Sequence, residues 1–169
     1  IEAKSAAHGA GIGGGWGSTA TSGDITIEGG DITASSMEHG TGIGAGCQGT
    51  SGKITIKGGN VSAEGGDDGA GIGASWIGKC GAIEITGGSV DAKGGRNGAG
   101  IGAGSSGSRV TDTILIDTTG TVNAEGGMNG VGIGSGYGGS SCGDIEIRQG
   151  TVNAKGSTDS TGIGAGRDS

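Results

Sequence analysis

The chain has 169 residues, 48 of them glycine, with no proline, no phenylalanine and a net charge of −7. Glycine costs about 1 kcal/mol at each helical position, so no window between the glycines sustains a helix, and glycine does not recur at every third position as collagen needs. No apolar run approaches the roughly 18 residues that insert in a membrane, and interspersed acids and bases with a negative balance argue against nucleic acid, which needs a basic stripe.

The residues are ordered by a repeat. G-x-G-I-G recurs around Ile12, Ile43, Ile72, Ile101 and Ile133, and a last copy with Ser160 for the first glycine surrounds Ile163. The spacings are 31, 29, 29, 32 and 30 residues. A period of 20–50 residues marks a solenoid, propeller or array. Taken in chain order, Ile1 to Ala3 is an incomplete V-x-A strand, and nine residues separate Ala3 from Ile12 in the first G-x-G-I-G strand. A loop follows, then the alternating strand D-I-T-I-E at Asp24 to Glu28 and, past a G-G turn, I-T-A at Ile32 to Ala34. The same order returns through Lys53–Lys57 with Val61/Ala63, Ile83/Ile85 with Val90/Ala92, Ile114/Ile116 with Val122/Ala124, and Ile145/Ile147 with Val152/Ala154. Alternation at period two turns Ile, Val and Ala inward and Asp, Lys, Thr, Glu and Asn outward. Glycine supplies positive φ at the turns.

Such a pattern predicts an all-β fold: a single-stranded parallel β-helix with three short strands per rung, because one coil buries its apolar face only against the next. Residues 1–169 form one segment of about five and a half rungs. The chain starts and stops in mid-repeat, which reads as a piece of a longer protein. Outward columns support the register. The residue after the V-x-A alanine is Lys4, Ser35, Glu64, Lys93, Glu125 and Lys155; the residue after the second strand isoleucine is Glu28, Lys57, Thr86, Asp117 and Arg148. Opposite charges on adjacent strands help by about 0.2–1 kcal/mol and like charges hurt; no like-charged neighbours occur in these columns. In the G-x-G-I-G strand, Gly11, Gly13 and their equivalents form outward columns. They either hold strained backbone or make a flat strip for a ligand or another chain.

All three aromatic residues fall in one column. Four residues after each motif isoleucine stand Trp16, Cys47, Trp76, Ser105, Tyr137 and Arg167. Aromatics on alternate rungs lie about 9.6 Å apart, two strand spacings, close to the disaccharide repeat of an extended β-1,4-linked glycan. Pyranose C–H faces pack on Trp and Tyr, with stacking of about 1–3 kcal/mol per ring by analogy with bases. Trp16, Trp76 and Tyr137 are therefore the candidate ligand-binding residues, the alternative being that they cover a corner of the core. The distance from this column to the next strand varies between seven and nine residues, and length variation in repeat proteins gathers on the binding face.

Other constellations are less specific. His8, Glu38, His39, Asp67 and Asp68 meet on three adjacent rungs and are candidate ligands for a divalent metal; against that, turns before glycine favour Asn, Asp and His. No other cofactor is expected. Cys80 and Cys142 share a column two rungs, or about 9.6 Å, apart, beyond the roughly 7 Å limit for a disulfide. For Cys47 and Cys80, on adjacent rungs, a bridge and free thiols both remain open. No outward column clusters carboxylates beside a basic residue as glycan-cleaving sites require, so no catalytic residue is expected.

The blocks G-A-G-I-G-x-G, I-T-I-x-G-G and V-x-A-x-G-G resemble the Gly-rich repeats of bacterial cell-surface proteins with β-helix, carbohydrate-binding-like domains, over essentially the whole chain. The resemblance implies an extracellular or cell-surface protein that recognises a polysaccharide or surface glycan, or acts as an adhesin. It transfers no site residues. The alternative is a structural spacer or a filament segment that self-associates end to end through open rungs. Ice binding is disfavoured because the outward columns are mixed rather than threonine.

Overall fold

A computed structural model describes all 169 residues. It has no helix; its 19 strands build a stack of rungs in which every strand pairing is parallel. The six G-x-G-I-G strands, from Ile12–Gly13 to Ile163–Gly164, form one sheet with isoleucine on isoleucine. A second sheet holds the I-T-I and V-x-A strands. Ile25, Ile54, Ile83, Ile114 and Ile145 are successive partners in it, so the predicted internal ladder and the β-helix stand.

The core is a thin column of Ile, Val and Ala. Ile43, Ile54, Ile72, Ile83, Ile101 and Ile114 are fully buried. Burying each such side chain contributes about 1.5–3 kcal/mol. Alternation fixes which residues enter it: Asn60–Glu64 and Ser89–Lys93 bury only their second and fourth residues. The outward columns also stack as the sequence predicts. Lys93 lies opposite both Glu64 and Glu125, and Glu125 opposite Lys155; the Lys155–Glu125 ion pair is 2.7 Å and Lys57–Glu28 3.0 Å.

Two features depart from the sequence reading. Four rungs have a fourth piece, a two-residue strand at Thr21–Ser22, Thr50–Ser51, Lys79–Cys80 and Arg109–Val110, and these form a third sheet. These pairs carry no alternation long enough to see. The second departure is at Asp117, whose partner is Gln149 rather than Arg148. Six residues separate Ile116 from Val122 where five separate the equivalent pairs in the other rungs, and the extra residue is absorbed as a bulge. Arg148 pairs instead with Glu146 of its own strand at 2.8 Å.

The glycine columns, for which the sequence offered two readings, are not an open strip. The G-x-G-I-G glycines from Gly42 to Gly134 are buried. A Cβ on Gly42 would stand 2.7 Å from Glu64 N, 2.7 Å from Gly71 O and 3.0 Å from Ala34 O. Gly44 has φ +132°, and a Cβ there would collide with Gly73 O. The glycines let rung lie against rung and strand against strand; the reading of the columns as strained, closely packed backbone is correct, and the ligand-docking strip is not.

Candidate functional site

The aromatic column stands at the corner where the G-x-G-I-G strand ends. Backbone hydrogen bonds hold its register from rung to rung. The amide after each column residue donates to the next column carbonyl: Gly17 to Cys47 O at 3.0 Å, Gln48 to Trp76 O at 2.8 Å, Ile77 to Ser105 O at 3.4 Å and Ser106 to Tyr137 O at 2.8 Å. The column residues alternate in depth. Cys47 and Ser105 are buried, Trp16 is 65% exposed, and Trp76 and Tyr137 are half-buried. A small residue thus lies sunk between two large ones, which opens a recess.

That recess is a cleft of about 470 Å³. Trp16 and Trp76 bracket it, with the buried Cys47 between them; His8, His39 and Asp68 line it on the side of the preceding turn, and Gln48 on the other. Tyr137 lies two rungs beyond Trp76 and is not part of this cleft.

The polar side is a ladder formed by the turn residues four before each motif isoleucine. The rings of His8 and His39 stack at 5.2 Å, and His8 meets the Trp16 ring at 5.3 Å. His39 Nδ1 is 2.7 Å from Asp68 Oδ2. Asn97 Nδ2 and Ser105 Oγ donate to Asp68 Oδ1 at 2.7 and 2.9 Å, and Asn129 Nδ2 donates to Asn97 Oδ1 at 2.7 Å. Asp68 is therefore tied into three neighbours and is a fixed acceptor in the cleft wall. Of the five metal candidates, His8, His39 and Asp68 line one cleft and Glu38 meets His8, but they pair off along the rungs instead of converging on one point. They resolve into His39 with Asp68 and His8 with Glu38 at 3.7 Å, while Asp67 faces a different groove beside Met37 and Arg96. No group of three His, Cys, Asp or Glu side chains is arranged to hold a metal ion.

The Beta helix repeat model matches residues 25–47, 54–76, 83–105 and 120–137, together more than half of the chain. The chain belongs to the Beta helix repeat family. The comparisons with curated proteins and with solved structures give no significant match. Three of the four matched repeats begin on the first isoleucine of the I-T-I strand, and all four end on the aromatic column, at Cys47, Trp76, Ser105 and Tyr137. The Beta helix repeat therefore supplies the frame of the corner, and the side chains set upon it are this chain's own.

Within this Beta helix repeat, all three cysteines are free thiols, which answers the question left open for Cys47 and Cys80. Burial raises the Cys47 pKa, and the nearby Asp68 charge raises it further. The Cys47 thiol therefore stays protonated at neutral pH, a neutral floor rather than a nucleophile. Cys80 is pushed up to about 11 by burial, partly opposed by its contact with Ser51.

Sequence reading missed one residue here. The position after each column residue adopts a left-handed conformation: Gly17, Gln48, Ile77, Ser106, Gly138 and Asp168 all have positive φ. Ile77, at φ 54°, is the β-branched exception among them, and such a residue bears about 1–3 kcal/mol of strain. The signal was present as an isoleucine standing in a column of Gly, Gln, Ser and Asp.

Proposed function

We propose that this β-helix is an extracellular or cell-surface polysaccharide-binding or adhesin module, and that Trp16 and Trp76 hold the glycan. The observation that carries this is the cleft between the two indoles over the buried Cys47. A sugar ring has apolar C–H faces and polar hydroxyl edges. The indoles offer the first a stacking surface, and the Asp68–His39 wall and Gln48 offer hydrogen-bond partners to the second. Two rungs place the indoles about 9.6 Å apart, suited to successive units of an extended chain. Tyr137, two rungs beyond Trp76 and outside this cleft, offers a separate stacking surface in the same column. The reading is one of binding without catalysis, and it needs no metal.

Binding to a glycan array tests it. Trp76→Ala should lose about 1–3 kcal/mol per site by analogy with base stacking, with the melting temperature kept. Since stacking rather than charge carries the contact, affinity should change little between low and high salt. Wild-type retention by a triple Ala variant at Trp16, Trp76 and Tyr137 would sink the proposal.

A spacer is the competing reading. It is favoured by the outward columns away from the corner, which satisfy themselves: Asn60 donates to Asp31 at 2.8 Å, Asn153 to Asn123 at 2.8 Å, and the lysines pair with neighbouring glutamates. Such faces have little left to offer a ligand. Retention of no glycan by the array, together with end-to-end filaments in electron micrographs, would favour the spacer.

A further inference from the structure

Ile77 is strained, and the core does not account for it. Its φ is 54° and the residue is 46% exposed, so packing inside the solenoid offsets little of the strain. Glycine, serine, glutamine and aspartate fill the same position in the other rungs, which shows that the corner forms without a β-branched residue. Strain that the fold does not require is a mark of a functional position.

Its surroundings say what the position contacts. Ile77 lines a second cleft, of about 230 Å³, together with Ser18, Gln48, Thr50 and Lys79. Gln48 also lines the indole cleft, so the two recesses share a wall at the corner of the same three rungs. Trp76 faces the first recess and its chain neighbour Ile77 the second. The left-handed turn at Ile77 carries the apolar surface from one recess to the next. Around it stand hydroxyls of Ser18 and Thr50 and the ammonium of Lys79, the donors and acceptors that a second sugar unit uses.

Resting on the glycan reading above, we infer that the two recesses are consecutive subsites for one oligosaccharide. Its chain crosses the corner over Gln48, from the indole cleft onto Ile77, and Ile77 is a specificity-determining residue that selects longer oligomers over short ones. The occupant is an oligosaccharide because both recesses set an apolar side chain beside polar ones, and because they share Gln48.

The test applies wild type, Trp76→Ala and Ile77→Gly to one array of β-1,4-linked oligomers of graded length from the cello-, manno-, xylo- and chito-series, and records the melting temperature of each. Glycine is relaxed at positive φ, so Ile77→Gly folds and should melt higher than wild type. The expected result is that Trp76→Ala weakens oligomers of every length. Ile77→Gly should weaken the longer ones at least several-fold and leave the shortest bound as before. Unchanged length dependence in Ile77→Gly, with Trp76→Ala impaired, overturns the second subsite and leaves the indole cleft standing. Wild type that retains no oligomer overturns both.

Discussion

At the scale of the residue, what a side chain does here depends on its column. Gly44 shows the strictest case: positive φ and a carbonyl in the path of any Cβ. Gly44→Ala should therefore lower stability by several kcal/mol, about 1–2 from the left-handed backbone and more from the displaced rung, read as the shift in a urea midpoint with unchanged slope. Cys80 gives a pH dependence of known sign. Its folded pKa is raised from 9.0 to about 11, so the contribution of the buried thiol is complete below pH 9 and is lost as pH rises toward 11. The loss approaches about 3 kcal/mol at 1.36 kcal/mol per unit. Cys80→Val should flatten that alkaline decline, and valine suits the site because Val110 is the next residue of the same column. A thiol reagent should leave Cys80 unmodified until the chain unfolds.

At the scale of the element, the corner depends on Asp68. Its carboxylate serves His39, Asn97 and Ser105 at once, so Asp68→Ala leaves three partners without their acceptor. A cost of about 1–3 kcal/mol follows from the unpaired polar groups, and Asp68→Asn should recover part of it. Differential scanning calorimetry of the two variants checks the order. How much of such an element can be read from sequence depends on its period. The I-T-I and V-x-A strands were legible because alternation runs over several residues, as was the register, because charges on neighbouring rungs answer one another. The corner strands at Thr50–Ser51 and Lys79–Cys80 were not, since two residues show no period. The glycine columns stayed open between strained backbone and a flat surface, because the sequence shows the absence of side chains but not what lies against the backbone. At the site, the column of Trp16, Cys47 and Trp76 was legible; the recess was not, because depth depends on Cys47 being small and sunk. Histidines and carboxylates that looked like a ligand set proved to be paired along the rungs, a geometry that turn chemistry alone cannot specify.

At the scale of the whole molecule, each rung touches only its neighbours, and the stack is close to one-dimensional. Excision of residues 54–82 joins Lys53 to Ile83, which continues the I-T-I ladder in register. The shortened chain should keep a cooperative β-sheet unfolding transition, yet lose the indole cleft because Trp76 leaves with the excised rung. Circular dichroism and glycan retention, measured on the same preparation, separate the two effects. A shortened chain that fails to fold would contradict the nearest-neighbour account.

Parallel stacking also determines how the molecule carries load. The hydrogen bonds between rungs run along the long axis, from Ile12–Gly13 at one end of the sheet to Ile163–Gly164 at the other. Tension applied through the two ends therefore pulls each interface open in turn instead of shearing all strands together. With 29 to 32 residues in each repeat, every release should lengthen the chain by about 100 Å, at roughly 3.3–3.6 Å per extended residue. A tethered adhesin built this way would yield in small, recoverable steps, and single-molecule force traces should show a sawtooth of low, evenly spaced peaks.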